Sequence, residues 1–210
     1  MARRTLFAYG AFFDKALEHL EIAVELDPRL ALARHWLYDA YNITGQHRKS
    51  LNEVYRQQRM GLETWSAIGG EIRALYRLGR YDEAVKLAEA QLADRGINTQ
   101  WGRWYRAYLV ENLAAFGDTT NAKRYLHELE EADAPTRQLA WAYVGIGNVE
   151  QALNSFEKLE QGKWGSIGTI CGLRNLGQLD LNAKQQVRYK DLMETYYTLW
   201  DLNPDGSYPG

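Results

Sequence analysis

A chain of 210 residues with 46% hydrophobic and 12% aromatic content carries ample material for one large domain or two small ones, which excludes a disordered chain. Its 25 Lys and Arg against 27 Asp and Glu leave a formal charge of −2, arguing against a general affinity for nucleic acid or anionic membranes. The single cysteine, Cys171, excludes an internal disulfide and a cysteine-based metal cluster; it reads as a small buried apolar residue in a reducing, cytoplasmic setting.

Arg3 and Arg4 ahead of the stretch from Thr5 to Phe13 faintly resemble a secretion signal, but Asp14 and Lys15 cut the apolar run short, so no leader is expected. No run of 18 apolar residues suggests a spanning helix. The first amphipathic helix is predicted from about Asp14 to Leu26, with Ala16, Leu17, Leu20, Ala23 and Val24 at helical spacing, and Asp27 and Pro28 end it. Further helices are predicted over Ala31 to Ile43, Arg48 to Met60, Trp65 to Leu78, Tyr81 to Ala93, Gln100 to Ala115 and Thr120 to Glu131. Pro135 is well placed to open the next, Thr136 to Val144, which is followed by Val149 to Glu160. Gly162, Gly165, Gly168 and Gly172 loosen the region around a short helix, Ser166 to Leu176. A last helix runs from about Gln185 to Leu202, and residues 203–210 read as a frayed tail. No alternating strand pattern competes, so the chain is expected to be all-α, residues 1–202 forming a single domain.

One turn organises these helices. Leu78, Gly79, Arg80, Tyr81, Asp82, Glu83 and Ala84 combine a glycine able to end a helix in the left-handed region with a carboxylate, Asp82, able to cap the next. Versions of it recur around Gly45, Gly117, Gly147 and, more loosely, Gly177, in steps of 34, 38, 30 and 30 residues.

On these residues the chain resembles the tetratricopeptide (TPR) repeat family. Ala16, Leu20, Ala23 and Pro28 fit the family's second-helix series; Leu37, Tyr41 and Gly45 fit the first-helix series and turn of the next repeat. Gly79, Tyr81 and Ala84 fit the third, and Leu109, Gly117, Ala122, Leu126 and Leu129 the fourth. Leu139, Ala140, Tyr143, Gly147, Ala152, Phe156 and Leu159 fit both helices of the fifth. The chain departs where Arg34 and Arg106 replace the first-helix tryptophan, Tyr38 and Val110 a small residue, Glu71 a leucine and Ser50 an alanine, swaps that predict a looser middle stack. The segment from Ala183 to Tyr197 is also similar to the close of TPR sensor regions of larger bacterial regulators. The resemblance implies a right-handed superhelical solenoid of stacked antiparallel helix pairs, about five to six repeats, with a C-terminal capping helix.

A helical hairpin cannot bury both its faces alone, whereas stacked hairpins can, so stability becomes a sum over neighbouring interfaces. In the family the exposed positions on first helices bind peptide segments or partner proteins. By the repeat phase these are His35 and Asp39, Arg73 and Tyr76, Trp104 and Glu111, and Arg137 and Trp141. Replacing Trp104 and Trp141 with alanine is then expected to abolish capture of a partner without unfolding the chain. The Lys and Asn set by which some family members hold a C-terminal carboxylate has no counterpart, so no such specificity is expected.

The sequence holds no phosphate-cradling glycine loop, zinc-binding histidine pair or serine nucleophile elbow. No enzymatic activity, cofactor or metal is expected. Protein binding is the leading expectation. The alternative is a structural, self-associating or regulatory sensor role, with Phe7, Phe12, Phe13, Tyr196, Tyr197 and Trp200 as contact residues. RNA recognition is disfavoured by the missing basic stripe.

Overall fold

The computed structural model describes residues 16–62, 65–96, 98–159 and 167–199. The predicted start at Asp14, the loose stretch around Gly162 and Gly165, the tail, the Cys171 and Tyr197 side chains, and Phe7, Phe12, Phe13 and Trp200 lie outside the described residues or side chains. Among the described residues the protein is all-helical, without strands: α1 (16–26), α2 (Ala31–Ile43), α3 (His47–Arg59), α4 (Trp65–Arg77), α5 (Tyr81–Arg95), α6 (Gln100–Phe116), α7 (Thr119–Glu131), α8 (Thr136–Gly145), α9 (Val149–Glu157), α10 (Ile167–Leu176) and α11 (Ala183–Leu199). The periodicity places α2 at its observed bounds, whereas α9 ends three residues before the expected Glu160.

The recurring glycine does what the sequence requires of it. Gly45, Gly79, Gly117 and Gly147 all lie at φ between 72° and 94°, a region that costs a residue with a Cβ. In each case the residue after the glycine donates its backbone N–H to the carbonyl five residues back: Gln46 to Tyr41, Arg80 to Leu75, Asp118 to Leu113 and Asn148 to Tyr143, at 2.8 to 2.9 Å. This bond closes the last helical turn and satisfies a carbonyl the helix leaves orphaned. Asp133, at φ 46°, plays the same part at the end of α7, where Ala134 donates to the Leu129 carbonyl. Gly177 differs, since it does not take the left-handed conformation; its missing Cβ instead admits the Tyr189 hydroxyl, which would lie 2.4 Å from such an atom.

Asp82 is corrected from cap to first-turn residue, because α5 already begins at Tyr81, and its carboxylate pairs with Lys86 at 2.6 Å. Side-chain caps sit elsewhere: Thr99, Asp118 and Asn148 accept from the backbone N–H groups of Gly102, Asn121 and Gln151.

The helices pack in consecutive pairs, and the chain divides into two compact units between Leu87 and Ala88. In the N-terminal unit α2 packs on α3 and α4, α3 packs on α4, and Leu17 and Val24 of α1 join Leu37, Ala40 and Tyr41 of α2 in one apolar cluster. In the C-terminal unit α6 packs on α7 and α8, α8 on α9 and α10, and α9 on α11. Arg188 ties α11 to α9 through Glu150, Glu157 and Asn154 at 2.5 to 2.7 Å.

The departures from the family pattern meet local partners. Arg34 is buried on α2, ion-paired with Glu53 of α3, and its Nε donates to the Pro28 carbonyl at 2.5 Å. Arg106 is buried on α6, with Nε 3.3 Å from Glu128 of α7. Tyr38 is fully buried because Gly70 has no Cβ, which would lie 2.4 Å from the Tyr38 ring. The Ser50 hydroxyl donates to the Tyr38 carbonyl at 2.8 Å, and Glu71 accepts from Gln58 at 2.9 Å.

Candidate functional site

Within the N-terminal unit, His35 and Asp39 lie one turn apart on α2 and Arg73 reaches them from α4. Arg73 forms an ion pair with Asp39 through Nη2, and its Nε donates to the Gly69 carbonyl at 3.4 Å. The His35 ring sits 3.8 Å from Asp39 through Nε2 and 2.8 Å from the Tyr38 hydroxyl through Nδ1. Tyr76 makes its ring contacts with Tyr81, at 5.5 Å, and with the Arg77 guanidinium, at 5.3 Å.

Burial pulls the His35 imidazole below its ordinary 6.5; Asp39 pushes it back up and Arg73 pushes it down again. The unfolded chain therefore takes up the proton first, so the stability His35 contributes is complete above about pH 6.5 and declines as pH falls through that value. Urea unfolding compared at about pH 7.5 and 5.5 is expected to show a smaller loss in His35→Gln than in the parent chain. An identical loss in both would assign the titration to another group.

In the C-terminal unit, α6 and α8 bring Trp104, Glu111, Arg137 and Trp141 into one cluster. Trp104 stacks on Tyr108 at 5.7 Å, and both meet the Trp141 ring edge to face, at 5.9 and 5.8 Å. The Trp141 indole N–H donates to Glu111 at 3.0 Å, and the Asn175 amide of α10 donates to the other Glu111 oxygen at 3.4 Å. With its amide oriented to satisfy both neighbours, Gln138 donates to the Pro135 carbonyl at 3.1 Å and accepts from the Trp104 indole N–H at 3.2 Å. The Arg137 guanidinium lies over the Trp104 ring at 5.2 Å. Gly145 is what lets the two helices close: a Cβ there would stand 2.8 Å from the Glu111 Cα.

The repeat phase predicts exposed side chains at these positions, and this needs correction. Asp39, Trp104, Glu111 and Trp141 are buried, because a first helix packs on the next first helix as well as on its own partner, as α6 does on α8 and α7. His35, Arg73, Tyr76 and Arg137 are half-buried and form the accessible part of the two groups.

The chain matches no protein-family model and no curated protein sequence. Among the described residues no group of three or more His, Cys, Asp or Glu could hold a metal ion, and no helix is long and apolar enough to cross a membrane.

Tyr108, Gln138 and Asn175 are members of the C-terminal cluster that sequence reasoning missed, as Tyr38 is of the N-terminal one. Tyr108 carries a usable signal, since it follows Trp104 by one helical turn. Asn175 carries none: it meets Glu111 across 64 residues through α10, whose start falls in the glycine-loosened stretch.

Proposed function

We propose that the chain is a protein-protein interaction module of the TPR type, whose helix pairs stack as a right-handed superhelical solenoid and whose first helices line a groove for a peptide segment or partner protein. The observation that supports this best is the convergence of Trp104, Glu111, Arg137 and Trp141 on α6 and α8, first helices of consecutive pairs. Buried rings and a held carboxylate form a rigid floor, and half-buried polar side chains form its rim, the distribution that gives peptide grooves their anchors. In this reading the chain has no catalytic role and works in the cytoplasm.

The test is selection from a random dodecapeptide library on the whole chain, followed by hydrogen exchange of the chain with and without a selected peptide. Slowed exchange is expected in α6 and α8 or in α2 and α4. An empty selection, or slowing confined to α7 and α9, would overturn the proposal.

A self-associating or structural role is the second reading, favoured by apolar side chains exposed in the N-terminal unit: Leu26, Leu32, Ile22 and Trp36. Tyr196 does not serve it, because this ring is buried in the C-terminal unit. Sedimentation that returns a monomer at every concentration would remove self-association.

A further inference from the structure

Arg137 differs from three other first-helix arginines, though not from Arg103, whose Nε is likewise buried without a partner. Arg34 faces Glu53, Arg73 faces Asp39, and Arg106 faces Glu128. Among the described residues Arg137 meets no carboxylate and no hydrogen-bond acceptor, and its guanidinium lies over the face of Trp104. Its Nε is buried without a partner, while the residue as a whole is half-buried. A guanidinium does not shed its proton near neutral pH, so this charge is half removed from water with no acidic group opposite it among the described residues. Burial accordingly lowers its pKa, an effect the neighbouring Tyr108 opposes.

We propose, building on the peptide-binding reading above, that Arg137 anchors a peptide through the side-chain carboxylate of an aspartate or glutamate. The outer edge of the guanidinium presents N–H donors in one plane, which a carboxylate matches with parallel hydrogen bonds. One guanidinium supplies one positive charge, fitted to a singly charged group. Its place is set in advance: Trp104 holds it from below, and Trp104 is itself fixed by the Tyr108 stack and the Gln138 amide. Little side-chain freedom is left to lose on binding, so a larger part of the charge-assisted bond appears as affinity. An asparagine or glutamine in the same place brings an acceptor but no charge, so the pocket separates acids from their amides.

Two peptide pools decide this, both acetylated and amidated at their ends so that no terminal carboxylate is present. One fixes Asp or Glu at its centre; the other fixes Asn or Gln. The best acidic binder is expected to hold the parent chain about tenfold or more tightly than its amide twin. Arg137→Gln should erase that gap with an unchanged melting curve, and Arg137→Lys, which keeps a point charge without the planar fork, should restore part of it. Equal binding of acid and amide, or a gap that persists in Arg137→Gln, overturns the anchor while leaving peptide binding intact. Binding from neither pool overturns the anchor and the peptide-binding reading together.

Discussion

Glu53→Leu is expected to lower the unfolding free energy by about 3 to 5 kcal/mol, among the largest effects any single substitution in the N-terminal unit should have. Arg34 and Glu53 expose only 2% and 4% of their side chains. Removing the carboxylate leaves the guanidinium charged, desolvated and held to a single carbonyl, that of Pro28. Replacing both partners, as Arg34→Met with Glu53→Leu, removes the stranded charge and fills the volume with apolar atoms, so most of the loss should return. The Pro28 carbonyl then lacks its donor, which sets the recovery slightly short of complete. Urea unfolding of the four chains gives the coupling energy directly. A double variant no more stable than Glu53→Leu alone would show that the pair is not what holds α2 against α3.

That pair also shows what the sequence conveys and what it withholds. Repeat phase marks Arg34 and Arg106 as strangers at a position the family gives to tryptophan, which is a statement about one helix. Their resolution lies on the following helix, at Glu53 and Glu128, and nothing in the spacing singles out those two carboxylates among many that read as solvated. Turns were legible for the opposite reason: a left-handed glycine and its backbone hydrogen bond involve only residues a few positions apart. The candidate site falls between these cases. His35 and Asp39 are neighbours on one helix face and the spacing pairs them, while Arg73 joins them by the repeat step of 34 residues that separates it from Asp39. Burial is not legible in the sequence, because a periodic pattern says which side chains share a face but not how closely the next first helix approaches. Gly145 controls that approach, and its effect becomes visible only when the Glu111 backbone is seen beside it.

Trp141→Ala is expected to cost about 3 to 5 kcal/mol, which alters what a binding experiment on this residue can mean. The indole is buried against Trp104 and Tyr108, and its N–H is a donor to the buried Glu111 carboxylate. Alanine therefore opens a cavity and takes a hydrogen bond from a charged group at once. Trp141→Phe separates the two losses: it keeps an aromatic ring in the cluster and removes the N–H, so a smaller cost of about 1.5 to 3 kcal/mol is expected. Because Trp104 is buried in the same cluster, alanine at both positions should unfold much of the C-terminal unit. Loss of partner capture would then follow from loss of structure, contrary to the expectation that the two rings can be removed without unfolding. Circular dichroism melts of Trp141→Ala and Trp141→Phe beside the parent chain settle this. A Trp141→Ala chain that melts with the parent would mean that the ring contributes little to the fold and is available to a ligand. A large downward shift for alanine and a modest one for phenylalanine would leave recognition to the half-buried rim, where Arg137 can be changed without dismantling its support.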